Sequence, residues 1–183
     1  MTSRSRNAVL PFTPMISAAR IRYAVRRMAR EIARDARRER RDRLLLLGVL
    51  KSSVCLVADL VRHFPFPCEL EFIRASSYRG TRSTGSVRLG TEEGVARVRG
   101  RDVIVVEDIV DTGRTLSALL SALAAYQPRS VRVCTLLDKQ CKREVFVPIH
   151  YRGFVIPDTF VVGYGLDCRE RYRNLPFIAR LDL

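Results

Sequence analysis

Lysine is scarce in this chain, and arginine supplies most of its positive charge. Only Lys51, Lys139 and Lys142 stand among 33 lysine and arginine residues, and the net charge is +14. Lysine carries a compact ammonium group, whereas arginine carries a planar fork of donors. The few remaining lysines therefore indicate positions that need a point charge, and two of them follow predicted strands.

The chain also lacks any apolar run long enough to span a membrane, since the longest clear run, Leu44–Leu50, is of strand length. Its five cysteines form no C-x-x-C pair, which is typical of small buried side chains in a reducing compartment. We therefore expect a cytoplasmic protein. No repeat or low-complexity linker divides the 183 residues, so we expect one domain over residues 1–183, with residues 1–8 as a flexible tail.

Much of the positive charge lies between Arg20 and Arg43. Ser17 is suited to cap a helix there, and apolar residues recur at helical spacing: Ile21, Val25, Met28 and Ile32. We predict an amphipathic helix over residues 17–40 whose solvated face carries most of the arginines. Nucleic-acid binding is the alternative interpretation of this charge. A transit peptide is not expected, because the helix would leave only a short tail to cleave.

Helices and strands are predicted to alternate along the rest of the chain. Helices are expected over residues 53–64 and 114–125, strands over 44–50, 69–76, 102–107 and 131–137, and shorter strands near 86–89, 144–147 and 160–163, with a closing tail at 178–181. Residues 77–85, rich in Gly, Ser, Thr and Arg, are typical of a mobile loop. The alternation predicts an α/β fold with a mainly parallel sheet flanked by helices.

Three charged residues are predicted to meet at one edge of this sheet. Lys51, Asp108 and Lys139 each fall just past the expected carboxyl end of a strand. Ligands of parallel α/β sheets bind at that edge, so a shared binding crevice is expected there.

The most informative segment is VIVVEDIVDTGRT, residues 103–115. An apolar, β-branched run typical of a buried parallel strand ends in Glu107 and Asp108. A turn rich in glycine and hydroxyl groups follows and opens a helix, which offers backbone N–H groups to a phosphate. Two acids beside a phosphate site are suited to sugar hydroxyls or a metal ion. The segment therefore predicts a binding site for a ribose 5-phosphate.

Other interpretations of Asp111-Thr112-Gly113 fit less well. An aspartic protease needs a second acidic loop in an all-β frame, and the chain has no second copy. A phosphorylated ATPase has lysine between the aspartate and the threonine. A plain strand–turn–helix with solvated acids would explain a lone Asp-Thr-Gly, but it leaves the whole thirteen-residue string unexplained.

The segment closely resembles the phosphoribosyl pyrophosphate (PRPP) loop of type I phosphoribosyltransferases. Further segments resemble the hypoxanthine branch of that family in its short bacterial form: VLKSSVCLVADL at 49–60, EFIRASSY at 71–78, LLDKQCKREV at 136–145 and FVIPDTFVVGYGLDCRERYRNLPFI at 154–178. The resemblance implies a type I phosphoribosyltransferase fold with a small hood formed by the chain ends. It also implies transfer of ribose 5-phosphate from PRPP to hypoxanthine or guanine, giving IMP or GMP and pyrophosphate.

The resemblance assigns Asp111 as the catalytic residue that faces N7 of the purine, as general base or as a charge that stabilises the protonated ring. A helix-capping role for Asp111 is the structural alternative. The 5-phosphate cradle is implied at Thr112, Gly113, Arg114 and Thr115. Glu107 and Asp108 are implied at the ribose hydroxyls and, with Asp167, near magnesium, which prefers few carboxylates together with water and ligand oxygens.

Pyrophosphate is expected to meet Lys51, Ser52 and Arg173, under a flexible loop that includes Ser77 and Tyr78 and excludes water. Ser52 departs from the family, whose first loop usually has glycine there after a cis peptide bond. A cis Lys51–Ser52 bond is therefore expected, with serine hindering pyrophosphate. If that bond is trans, glycine at position 52 is expected to change little.

Base recognition is assigned by the same resemblance. Lys139 is implied to donate to O6, because an ammonium offers only donors and disfavours the amino group of adenine. Phe160 is implied to stack on the purine with Ile109 on the other face, although a core position is the alternative for Phe160. Backbone carbonyls near Val161 and Asp167 are implied to read position 2 of the purine.

The family usually forms dimers or tetramers, so a homo-oligomer is expected. Some proteins of this fold bind RNA and regulate genes while they retain a PRPP loop, which is the alternative function for so basic a chain. No membrane association is expected.

Overall fold

The computed structural model describes residues 12–41, 43–74, 76–77, 87–88 and 97–182. Its helices are α1 (Ala18–Arg38), α2 (Val54–Val61) and α3 (Arg114–Ala124). Its strands are β1 (Phe12–Ile16), β2 (Leu44–Leu50), β3 (Glu69–Arg74), β4 (Ser76–Ser77), β5 (Val87–Arg88), β6 (Asp102–Val110), β7 (Ser130–Asp138), β8 (Tyr151–Val155), β9 (Val161–Val162) and β10 (Ile178–Leu181).

Five strands form the central sheet, in the order β3-β2-β6-β7-β8. Every neighbouring pair is parallel, as the sequence predicted. β2 and residues 103–106 of β6 are apolar on both faces, since helices cover both sides of the sheet. α1 and α2 pack on one side through residues such as Met28 and Leu56, and α3 packs on the other through Leu119. Complete burial of each such side chain contributes about 1.5–3 kcal/mol.

α1 forms where the helical spacing predicted it. Ser17 caps it, because the Ser17 hydroxyl accepts from the backbone N–H of Arg20 at 3.3 Å. Its buried face carries Ile21, Ala24, Val25, Met28, Ala29, Ile32, Ala33 and Ala36. Most arginines of α1 lie on the exposed face, as the amphipathic pattern predicted.

The two ends of the described chain form a second, smaller sheet in the order β1-β10-β9. β1 and β10 pair antiparallel, with Phe12 opposite Leu181, and β9 pairs with β10 through Val161 and Val162. This sheet is the hood that the resemblance implied, and it sets β9 and the residues after it beside the first loop.

Several predicted elements need correction. Residues 144–147 form no strand; the backbone N–H groups of Glu144 and Val145 instead donate to the carbonyl of Thr112. The fifth strand of the sheet is Tyr151–Val155, which the sequence analysis missed together with Phe12–Ile16. β6 continues to Val110, so Asp108 lies inside the strand and not after it. The predicted tail at residues 1–8 lies outside the described residues.

No helix among the described residues is both long enough and apolar enough to cross a membrane.

Candidate active site

The carboxyl ends of β6 and β7 bring the proposed catalytic and base-reading residues together. Asp111 follows β6 directly and Lys139 follows β7, and the two strands pair as far as Val110 and Asp138. Lys139 Nζ lies 3.6 Å from Asp111 Oδ2. Asp111 Oδ1 is buried and has no hydrogen-bond partner in the described chain. This carboxylate therefore keeps one oxygen available for a ligand beside a buried ammonium.

The turn after Asp111 forms an anion cradle at the amino end of α3. Gly113 adopts φ +85°, which glycine accommodates without strain, and a Cβ there would overlap the carbonyl oxygen of Val145. Gly113, the residue before the first turn of α3, makes no side-chain capping bond, and Asp111 Oδ1 has no hydrogen-bond partner among the described residues. The capping alternative for Asp111 is therefore wrong. Free N–H groups at a helix amino end favour a bound phosphate.

Two side chains of the cradle are oriented by neighbours. Thr112 Oγ1 accepts from the backbone N–H of Arg114 at 3.4 Å. The Arg114 side chain is exposed and donates through Nε to Glu144 Oε2 at 2.6 Å. Arg114 therefore contributes to the cradle through its backbone, while its guanidinium fastens the turn to the segment after β7.

Glu107 and Asp108 are consecutive residues near the end of β6, and Asp108 is buried. Burial, and then the charge of Asp108, raise the pKa of Glu107 well above its usual range. Burial raises the pKa of Asp108 to about 6, although backbone N–H groups, the Arg173 guanidinium and the Ser52 hydroxyl act in the opposite direction. Glu107 Oε2 is buried with no hydrogen-bond partner among the described residues.

A divalent cation suits this pair of acids. Two close carboxylates that resist ionisation, one of them with an orphaned oxygen, gain free energy when a cation approaches. In the described part of the chain no three His, Cys, Asp or Glu side chains cluster as a complete metal cage. Magnesium needs no such cage, since it retains waters and binds ligand oxygens. The residues present therefore fit magnesium.

The first loop and the hood meet around Arg173. Arg173 Nη1 donates to Ser52 Oγ at 3.1 Å and to the carbonyl of Gly165 at 2.8 Å, and its Nη2 lies 2.8 Å from Asp167 Oδ1. Lys51 Nζ lies 3.1 Å from Glu170 Oε2. Four predicted residues, Lys51, Ser52, Asp167 and Arg173, therefore lie in one cluster.

The loop itself departs from the expectation. The cis peptide bond joins Leu50 to Lys51, and it does not join Lys51 to Ser52. Ser52 stands one residue further on, where its hydroxyl receives Arg173 and its carbonyl lies against Gly165. The expected cis bond between Lys51 and Ser52 is therefore wrong, whereas hindrance of pyrophosphate by Ser52 stays a prediction. The Ser52 hydroxyl is a hydrogen-bonding partner of the proposed pyrophosphate arginine.

Two acidic residues at the site were missed by the sequence analysis. Glu170 contacts both Lys51 and Arg173, and Asp158 Oδ1 lies 3.8 Å from Lys139 Nζ. Asp158 sits in the segment FVIPDTFVV, close before Phe160, which was the one local signal for its position. Glu170 offered none, because its partner Lys51 is 119 residues away in the sequence.

The remaining residues assigned to the base site differ in exposure. Lys139 is 7% exposed, which is low for a lysine and suits a group that reads a base edge. Phe160 is 44% exposed, so its core alternative is wrong. Val161 is buried in β9 and Ile109 is partly buried in β6. Stacking by Phe160 and Ile109, and recognition by backbone carbonyls near Val161 and Asp167, stay predictions.

The proposed flexible loop is only partly described. The backbone of Ser77 belongs to β4, which pairs with β5, whereas Tyr78 and residues 79–85 lie outside the described residues. Thr115 occupies the first turn of α3, one residue beyond Arg114, and its role in the phosphate cradle stays a prediction.

Comparisons with known proteins identify the family. The sequence model of the phosphoribosyl transferase domain matches residues 17–169. The chain is 48% identical to the hypoxanthine-guanine phosphoribosyltransferase of Mycobacterium avium, over 92% of this chain and 84% of the relative. It is 41% identical to the hypoxanthine phosphoribosyltransferase of Escherichia coli, over 92% and 94%. The chain belongs to the hypoxanthine phosphoribosyltransferase family.

Solved structures of the hypoxanthine phosphoribosyltransferase family agree with this fold. The hypoxanthine-guanine phosphoribosyltransferase of Bacillus anthracis superposes with a TM-score of 0.84 at 39% identity, over 95% of this chain and 98% of that one. The hypoxanthine phosphoribosyl transferase of Trypanosoma cruzi gives a TM-score of 0.87 at 34% identity, over 97% and 95%. These relatives are enzymes, and they lend no support to the alternative of an RNA-binding regulator.

Proposed function

We propose that this enzyme serves purine salvage by transferring ribose 5-phosphate from PRPP to hypoxanthine or guanine, in the presence of magnesium. The observation that carries the proposal is the juxtaposition of three groups at one sheet edge. A buried ammonium, Lys139, lies beside the partly unpartnered carboxylate of Asp111, and the anion cradle at Gly113 follows directly. These groups suit the substrates, since an ammonium donates to the oxygen of a 6-oxopurine, a carboxylate accepts from its ring N–H, and backbone N–H groups bind the phosphate of the sugar.

PRPP is held at three points in this proposal. The 5-phosphate lies on the N–H groups of the turn Thr112–Thr115, while Glu107 and Asp108 accept hydrogen bonds from the ribose hydroxyls. Pyrophosphate meets Lys51 and the N–H groups of the first loop, and Arg173 neutralises its charge. Glu170 pairs with both Lys51 and Arg173 in the free enzyme. Pyrophosphate would therefore replace the Glu170 carboxylate as the partner of these two side chains.

Glu107 and Asp108 would hold magnesium together with substrate oxygens in this proposal, and Asp167 of the hood would contribute to the same site. Each oxygen of Asp167 already accepts from one neighbour, namely Arg173 or the backbone N–H of Glu170, and each retains a further lone pair. When bound, magnesium neutralises the departing pyrophosphate. The pair of buried acids with raised pKa values supports this placement, since a cation favours their charged forms.

The purine is selected by donors and acceptors. Lys139 donates to O6 and cannot accept from an amino group, so adenine would leave a buried donor opposite another donor. Asp111 Oδ1 either accepts the proton from N7 of the purine or stabilises the positive charge of the purine protonated at N7. Positive charge also develops on the sugar as pyrophosphate leaves. Phe160, half exposed at the start of the hood, offers a face for the ring.

A product assay tests the proposal directly. The purified enzyme is mixed with PRPP, magnesium and each of hypoxanthine, guanine, xanthine and adenine in turn, and nucleoside monophosphates are separated by chromatography. We expect product with hypoxanthine or guanine and little with adenine. Equal or greater turnover of adenine would contradict the role of Lys139.

The same assay with D111N tests the catalytic carboxylate. The amide keeps the shape but removes the base, so turnover should fall by roughly 10²–10⁴-fold, with PRPP affinity changed far less. D158N is the matched control, because it removes another carboxylate near the same ammonium, 3.8 Å from Lys139 Nζ. Near-normal turnover in D111N would show that Asp111 takes no part in proton transfer.

A further inference from the structure

Residues 139–145, called here the base arch, link the purine site to the phosphate cradle. The arch leaves β7 at Lys139, whose backbone N–H donates to the carbonyl of Val110 at 2.9 Å. It passes through a 3₁₀ turn at Gln140–Lys142 and returns to the cradle. There the N–H groups of Glu144 and Val145 both donate to the carbonyl of Thr112, at 2.9 and 3.0 Å. One short segment therefore fixes a base-reading side chain at its start and the phosphate turn at its end.

A buried ion pair joins Asp138, the residue before the base arch, to Arg143 within it. Asp138, the last residue of β7, is 1% exposed, and its Oδ1 accepts from Arg143 Nη2 across five residues of sequence. Its Oδ2 faces Arg152 Nε of β8 at 2.8 Å. A carboxylate this deeply buried requires such partners, because an unpaired buried charge is costly. The Asp138–Arg143 pair therefore sets how closely the two ends of the arch approach each other.

Arg143 also supports the cradle from below. Its side chain is mostly buried, and its Cδ lies 3.1 Å from the position that a Cβ on Gly113 would occupy. The backbone of Gly113 thus rests on the Arg143 side chain, with the carbonyl of Val145 beside it. Displacement of Arg143 would release the turn that presents N–H groups to phosphate.

We propose that Asp138 and Arg143 are positioning residues that couple purine recognition to PRPP binding. The ion pair closes the arch, and this places Lys139 at the purine edge and holds Thr112–Gly113 in the shape of the cradle. Neither side chain contacts a substrate in this scheme. The inference rests on the proposed function, since it assumes that Lys139 reads O6 and that the turn binds the 5-phosphate.

R143M tests the proposal, because methionine keeps an unbranched apolar stem while it removes the charge and the hydrogen bond to Asp138. We expect the KM for PRPP to rise by roughly 10–100-fold. A substitution remote from the reacting atoms can have an effect of this size when it misplaces a binding group by about 1 Å. The preference for hypoxanthine over adenine, as a ratio of kcat/KM, should fall about tenfold because Lys139 is no longer fixed. D138N should change both quantities in the same direction, and R143K should change them less.

R101M is the matched control. Arg101 also makes an ion pair across the sequence, with Glu69, but it lies at the amino edge of the sheet, before β6 begins. Its loss should leave both the PRPP KM and the purine preference unchanged. Thermal melting of every variant separates loss of the fold from displacement of Lys139 and the phosphate turn within an intact fold. If R143M does not fold, R143K provides the test in its place.

The outcomes separate the two proposals. A wild-type enzyme without PRPP-dependent activity on any 6-oxopurine contradicts the proposed function. An active wild type whose R143M or R143K variant loses only melting temperature or kcat, with PRPP KM and purine preference unchanged, overturns the positioning role. A change in both quantities in the Arg143 variants, but not in R101M, supports it.

Discussion

Ionisation of the Asp108 side chain destabilises the folded protein. Burial raises its pKa from 3.8 to about 6, so the native state holds the proton more tightly than the unfolded chain does. Ionisation therefore lowers the free energy of unfolding as pH rises from 3.8 to about 6, and the full penalty persists above that range. The penalty is absent below both pKa values. A role of Asp108 in binding PRPP, as proposed above, would account for this cost.

D108N should therefore stabilise the protein at neutral pH while it impairs PRPP binding. We expect a gain of about 1–3 kcal/mol in unfolding free energy near pH 8, shrinking towards zero near pH 4. Urea titrations across that range measure the gain, and D182N, which alters an exposed carboxylate, is the control. A gain that is the same at both ends of the range would contradict the assignment of the penalty to ionisation.

The residues of the PRPP loop could be predicted because their chemistry is local. Glu107 to Thr115 form one strand, one turn and one helix start, and the structure keeps them in that order. The contacts of Glu170 and Asp158 could not be predicted, because they depend on chain segments that meet only after folding. The hydrogen bond between Arg173 and Ser52 could not be predicted for the same reason, because the two residues are 121 positions apart in the sequence.

Ion pairs of Arg132, a mostly buried arginine of β7, help to join helix α1 to the sheet. Arg132 of β7 lies 2.9 Å from Asp35 and 2.6 Å from Glu39, and it also donates to the hydroxyl of Tyr151. Hydrogen bonds from Arg41, Arg132 and Arg38 lower the pKa of Glu39 to about 2. Charged side chains at the carboxyl end of α1 thus make tertiary contacts with the sheet.

R132M should destabilise the protein by roughly 2–4 kcal/mol, because it leaves the mostly buried Asp35 without its closest cation. R38M is a close control, since Arg38 approaches the same two carboxylates while its side chain is 69% exposed. We expect that variant to change stability by less than about 1 kcal/mol. Equal losses in urea titrations would show that burial of the arginine does not matter.

Helices and strands could be predicted from the sequence where a hydrophobic period marks them. The prediction was wrong where backbone hydrogen bonds to a distant segment determine the structure. The apolar stripe of α1 and the β-branched run of β6 appear as expected. Residues 144–147 look like a strand, but two of their N–H groups are taken by Thr112. β8, at Tyr151–Val155, carries a glycine and partly exposed residues because it is the edge strand, so its apolar signal is weak.

For the whole molecule, the net charge of +14 is spread largely over exposed arginines, including Arg22, Arg26 and Arg30 on the outer face of α1. Such a charge raises the local concentration of anions and the rate at which they arrive. PRPP is a polyanion, whereas hypoxanthine is neutral. The expected dimer or tetramer, the single domain over residues 1–183 and the cytoplasmic location stay predictions, and light scattering measures the first.

Salt should therefore weaken the use of PRPP selectively. When ionic strength rises from about 0.05 M to about 0.5 M, the screening length falls to a few ångströms, and long-range attraction to exposed arginines is lost. We expect kcat/KM for PRPP to fall steeply over this range, with the KM for hypoxanthine nearly constant as the internal control. The double variant R26Q/R30Q, altered only on the outer face of α1, should lower kcat/KM for PRPP at low salt and flatten the dependence. If the neutral base lost affinity to the same extent as PRPP, or if the double variant kept the full slope, the effect of salt would have to arise within the site and not from the charge of the whole molecule.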